Sequence, residues 1–105
     1  MCKAIVLSSK GATTVTYCTA CSTHYIWQRS YLLTFTPSAY KQFCLDVSDK
    51  IGKESYYLFP DAIWRMVMRT PLPELLFTFT DEEWSDFQEA LNEAAYMQEI
   101  HQLLA

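Results

Sequence analysis

Leu33-Thr-Phe-Thr36-Pro-Ser-Ala-Tyr40-Lys-Gln-Phe43 and Phe77-Thr-Phe-Thr80-Asp-Glu-Glu-Trp84-Ser-Asp-Phe87 are two versions of one pattern, 44 residues apart. Each begins with alternating apolar and polar residues, the period of a half-buried strand, and then changes at a threonine to the 3.6-residue period of a helix. Thr36 and Thr80 suit the N-cap position, where a hydroxyl accepts a bond from a backbone N–H of the first turn. Pro37 fits the first helical position, where a missing N–H costs nothing. Thr80 with Glu83 reads as a capping box, and Asp81, Glu82 and Glu83 face the positive end of the helix dipole.

The helices predicted to follow carry one apolar stripe each. Tyr40, Phe43, Cys44, Val47 and Ile51 line the first; Trp84, Phe87, Leu91, Ala94 and Ala95 line the second, drifting to Met97, Ile100 and Leu104. Both stripes read as core faces, which makes Cys44 a buried thiol. A feeder strand is expected before each repeat strand: His24 to Gln28 turning at Arg29-Ser30, and Ala62 to Arg69 turning at Pro71-Leu-Pro73. Ile26-Trp27 and Ile63-Trp64 look like matching positions in those feeders. Ahead of them, Lys3 to Leu7 and Thr13 to Tyr17 form a hairpin about Ser9-Lys10-Gly11, and Ser48 to Phe59 is a link. The expected fold is therefore α+β: one domain over residues 1–105, with an N-terminal β-hairpin (1–18) followed by two ββα units (24–51 and 62–105). The sheet is largely antiparallel with both helices on one face.

At 105 residues the chain is long enough to bury a modest core without disulfides. Aromatic residues make up 15% and charged residues only 19%, so some rings are expected to face a partner, a homodimer first among them. Tyr56, Tyr57, Phe59 and Trp64 are the candidate interaction surface for a protein partner. No stretch approaches the roughly 20 apolar residues of a membrane span, and Met1 to Leu7 is too short for a signal peptide, so the expected location is cytoplasmic. Residues 1–79 carry eight Lys and Arg against five Asp and Glu, a balance of +3; residues 80–105 carry seven acids and no Lys or Arg, a balance of −7. That acidic end argues against nucleic-acid binding, although Lys41, Lys50 and Lys53 could form a small basic patch.

Cys18-Thr-Ala-Cys21-Ser-Thr-His24 is the one motif with metal or redox chemistry. A C-x-x-C turn brings two thiolates to one side, but a structural zinc site needs four ligands. A hairpin turn centred near Lys10 pairs residues whose numbers sum to about 20, which sets Cys2 opposite Cys18. Cys2, Cys18, Cys21 and His24 would then supply a Cys₃His set for zinc. Unligated structural thiols are the alternative. A redox or metal-sensing role for Cys18 and Cys21 is a third, set back because strand sequence, not a helix N-terminus, follows Cys21. No cluster assembles a catalytic site, so the chain reads as a non-enzymatic, zinc-stabilised protein-interaction module, with no cofactor besides zinc. The zinc-ribbon nucleic-acid binder ranks last.

Tyr17 to Trp27, with its C-x-x-C turn between two strands, resembles one knuckle of a zinc ribbon; the second knuckle is missing. Thr14 to Val47 is similar to a family of small proteins of Bacteroidetes-type bacteria, a domain of unknown function. Its pattern is a strand, a C-x-x-C, an aromatic hairpin and a strand running into a helix. Members often carry an aromatic-Gly-Asn turn where this chain has Trp27-Gln28-Arg29-Ser30. The resemblance implies a cytoplasmic bacterial domain and assigns no activity.

Overall fold

The computed structural model describes residues 3–104. The order of elements is β1 (Ile5–Lys10), β2 (Thr13–Cys18), β3 (Thr23–Trp27), β4 (Leu32–Phe35), α1 (Pro37–Lys50), β5 (Tyr56–Leu58), β6 (Trp64–Arg69), β7 (Leu76–Phe79) and α2 (Asp81–Leu104). The class is α+β, opening on a β-hairpin. The strands form two antiparallel sheets, β1-β2-β3-β4 and β5-β6-β7, each a meander of sequential neighbours.

Both helices start where the threonines place them. Thr36 Oγ1 accepts from the Ala39 N–H at 3.2 Å. At Thr80 the box is reciprocal: the Glu83 N–H donates to Thr80 Oγ1 at 3.2 Å, and the Thr80 N–H donates to Glu83 Oε1 at 2.8 Å. The 44-residue repeat carries through to the core, since Leu33 and Phe77, Phe35 and Phe79, Tyr40 and Trp84, Phe43 and Phe87 are all buried. Phe87 is fully enclosed, its ring meeting those of Phe43, Phe77 and Phe79 at centroid distances of 6.2, 5.1 and 4.8 Å. One apolar cluster thus joins α1, α2 and both sheets. Helix α1 lies on β3 and β4, while α2 reaches β1 and β2 as well as β6 and β7.

The repeat is one strand longer than its sequence suggested. His24 pairs with Phe35 and Tyr17 in the first sheet; Met66 pairs with Phe79 and Tyr56 in the second. Each half is therefore βββα, with β2 and β5 equivalent. Strand β5 falls inside the stretch expected to be a link. The feeder correspondence also shifts: Ile26 matches Met68, because both face the equivalent of Leu33, and Trp27 matches Arg69. The cause is the loop before the last strand, Gln28 to Tyr31 in one half but Thr70 to Leu75 in the other, two residues longer. Ile63 precedes β6 and is exposed.

The first hairpin departs from its expected register. Lys10 pairs with Thr13, so the turn is Gly11-Ala12, with Gly11 at φ +54°. A glycine at the first of two turn positions is what a type II′ hairpin turn asks for. Paired numbers sum to 23 there, and to 22 beyond an irregularity at Leu7, in place of 20. The bulge puts one extra residue on β1, and both Leu7 and Ser8 are buried. The Ser8 hydroxyl donates to the Ala90 carbonyl of α2 at 2.6 Å, which ties the bulge to the helix.

Candidate functional site

At a sum of 22 the position facing Cys18 is Ala4, which corrects the pairing that set Cys2 there; Cys2 itself lies outside the described residues. Cys18 ends β2 and pairs with Thr23 of β3, closing a loop over residues 19–22 that holds Cys21, exposed, and Ser22 at φ +54°. Tyr17 pairs with His24, and adjacent strand residues point to opposite faces. His24 therefore lies on the helix-covered face and Cys18 on the other. Among the described residues, no group of three or more His, Cys, Asp or Glu is placed to hold a metal ion.

His24 is buried at 4% exposure. Its ring stacks on Tyr40 with centroids 3.7 Å apart and planes within 4°, and tilts against Tyr17 at 4.5 Å. Nε2 donates to Gln98 Oε1 on α2 at 2.7 Å, which leaves Nδ1 as a buried lone pair without a hydrogen-bond partner among the described residues. Burial disfavours the imidazolium and lowers the His24 pKa; the bond to Gln98 works the other way. Tyr40 in turn hydrogen-bonds Cys44 one helical turn on, and burial pushes both the Tyr40 hydroxyl and the Cys44 thiol up. This is a neutral polar string, Gln98–His24–Tyr40–Cys44, built into the core between α1 and α2.

The large open site is elsewhere. A groove of about 1250 Å³ runs between α1 and the second sheet. Ala39, Phe43 and Asp46 of α1 form one wall, and Tyr57, Phe59 and Val67 form part of the other. Lys50 and Arg69 also reach it, and neither enters an ion pair among the described residues. Pro71 and Pro73 also line it, in a loop organised by the buried Thr70 hydroxyl, which reaches the Leu75 and Leu72 carbonyls at 2.6 and 2.9 Å and accepts from the Leu72 N–H at 3.1 Å.

The four aromatic residues expected to form one surface are divided. Tyr57 and Phe59 line the groove, Tyr57 at 57% exposure. Phe59 has one face covered by the Arg65 guanidinium at 5.2 Å, itself held by Asp61 at 2.9 Å. Tyr56 points toward α2, its hydroxyl donating to Asp81 at 2.7 Å, which pushes the phenol up to about 12. Trp64 lies opposite Leu58 on the same side of the sheet as Tyr56, beyond the reach of the helices, and both are well exposed. Sequence reasoning missed most of the lining, Val67, Met68, Arg69 and Leu76 among it; nothing in their local pattern distinguishes a groove-lining strand from a covered one. Lys53 of the small basic patch is paired with Asp49 at 3.0 Å. No helix among the described residues is long and apolar enough to cross a membrane. No family model matches the chain, and no curated protein or solved structure matches it either.

Proposed function

We propose that this protein is an interaction module that receives a segment of a partner protein in the groove between α1 and the second sheet. The observation that carries this reading is the groove's size and lining. At about 1250 Å³ it is larger and more open than the roughly 300–1,000 Å³ pockets that enclose small ligands. Half-exposed aromatic and aliphatic side chains, with a few charges at the rim, are the composition of a peptide-binding surface. This reading does not depend on the zinc set.

The test is a library of linear peptides displayed on phage and panned against the full chain, with Tyr57→Ala and Leu76→Ser as counter-screens. Both residues are exposed, so their replacement leaves the core intact. Peptides that bind the natural chain and lose at least tenfold in affinity on either variant support the reading. Binders indifferent to both variants, or no binders at all, would sink it.

Self-association is a second reading, favoured by the directly paired Leu58 and Trp64, exposed at 58% and 59%. Sedimentation of the natural chain and of Trp64→Lys decides it: a dimer that the substitution dissociates is the expected result, and a monomer at all concentrations excludes it.

A further inference from the structure

Four consecutive residues of β6 and its exit, Val67, Met68, Arg69 and Thr70, all line the groove. Neighbouring strand residues alternate between faces, so a groove touching every one of them runs along the strand's edge and not over a face. The edge is identified by the pairing. On one side β6 is paired with β7 from Met66 to Arg69; on the other, β5 begins at Tyr56, opposite Met66, and goes no further. Among the described residues, Val67, Met68 and Arg69 thus have a strand neighbour on one side only. The chain is drawn away before Tyr56, where Glu54 Oε2 accepts from the Trp84 indole N–H at 2.9 Å.

The first half of the molecule shows what such an edge accommodates. The equivalents of Val67, Met68 and Arg69 are Tyr25, Ile26 and Trp27, and these are covered by Thr16, Val15 and Thr14 of β2. Val15, opposite Ile26, is fully buried there. In the second half the place of Thr14 to Thr16 is the groove.

Resting on the reading of the groove as a partner site, we propose that the open edge of β6 at Val67–Arg69 takes an extended segment of a partner protein as an added antiparallel strand. Opposite Met68 the segment carries a β-branched apolar residue, and opposite Arg69 an acidic one. Main-chain bonds to the edge supply affinity, and the alternate side chains supply selectivity. The apolar residue enters where Phe43 and Met68 line the groove, as Val15 does in the first half. The acidic residue meets Arg69 and Lys50, the two cations at the rim, against the single carboxylate of Asp46. The same charges disfavour a second copy as the occupant, because edge-to-edge pairing would bring both chains' Lys50 and Arg69 into one groove.

The probe is a fluorescein-labelled peptide with the core Glu-Val-Thr, ordered as Thr14-Val15-Thr16 is, together with any groove-dependent peptides from the library. Each is made with a single backbone N-methyl at successive core positions and titrated by anisotropy into the full chain. Antiparallel pairing uses alternate residues on each edge, so methylation is expected to weaken binding at least tenfold at alternate positions and to be tolerated between them. Arg69→Glu is expected to weaken the Glu-bearing peptide tenfold or more and to favour its Lys counterpart. Peptides that need Tyr57 but tolerate methylation everywhere, or ignore Arg69→Glu, would overturn strand addition while leaving the groove as a partner site. Absence of any Tyr57-dependent binding would overturn both, and self-association that Arg69→Glu abolishes would assign the edge to a second copy.

Discussion

The imidazole of His24 lies flat on the phenol ring of Tyr40, 3.7 Å between centroids and 4° from parallel, at a position that the second half of the molecule fills with Met66. A methionine adapts to its surroundings without any polar demand. A histidine in the same place must be kept neutral, and it brings one nitrogen that Gln98 satisfies and one that no described residue does. The two halves share a fold but differ in how their cores respond to protons.

That difference gives a pH dependence of known sign. Burial lowers the His24 pKa in the folded chain below the unfolded value of about 6.5. Between those values the unfolded state binds more protons, so stability is full above about 6.5 and falls as pH drops toward the folded pKa. Tyr40 and Cys44, both pushed up, stay neutral as the pH drops, and the carboxyls of Glu54 and Asp61, both held below the usual carboxylate range, stay ionised where the loss begins. Urea unfolding from pH 7 downward should show the loss, and His24→Phe should remove it while keeping a ring on Tyr40. An unchanged slope in the variant would place the proton elsewhere.

Thr80 anchors the long helix through two reciprocal bonds, and its side-chain half is worth what such caps usually are. Thr80→Ala is expected to cost about 1 kcal/mol in chemical denaturation, with Thr80→Ser nearly neutral. A cost no greater than that of an exposed mid-helix substitution would mean that the α2 start is held by tertiary contacts alone.

The caps were legible in the sequence because they are local: Thr80 and Glu83 need only each other and the first helical turn. The core stripes were legible because Tyr40, Phe43, Trp84 and Phe87 repeat at helical spacing. Register was not, since the bulge at Leu7 is invisible in a run of alternating residues and moves every pairing beyond it. Strand β5 was missed because three residues after the polar Lys53-Glu-Ser55 are too few to show a period. The groove was out of reach for the same reason: its edge exists only because β5 begins at Tyr56, opposite Met66, three residues short of where β2 covers β3. Cys18 and His24 looked like partners in spacing, and the pleat separates them.

Cys18 is fully buried, so its thiol should react with iodoacetamide only as fast as the chain unfolds. Mass mapping of labelled peptides over time reads this directly. If burial alone protects Cys18, treatment with a chelator is expected to leave that protection unchanged. Rapid labelling of Cys18 after chelation, with zinc released, would instead restore the zinc site expected from the C-x-x-C.

Ala62 holds a backbone conformation that suits glycine better. The Ala62 N–H donates to the Phe59 carbonyl at 2.9 Å across Pro60 and Asp61, and the Phe59 N–H donates to the Ile63 carbonyl at 3.1 Å. This is a three-residue hairpin loop built as a turn with proline at its first central position, followed by one residue in the left-handed region, here Ala62 at φ +64°. An L-residue pays about 1–2 kcal/mol there, while glycine's extra freedom in the unfolded chain returns part of that advantage. Ala62→Gly should therefore raise stability by about 0.5–1 kcal/mol, and Ala62→Val should lower it, because a β-branched side chain tolerates positive φ worst. The loop sets where β6 begins and how Arg65 reaches Asp61, at 3.0 Å, so the pair of variants also tests the β5–β6 register. Glycine that leaves the urea midpoint unchanged would mean that the chain relaxes out of the left-handed conformation, and the Tyr56–Met66 pairing that opens the groove would have to be redrawn.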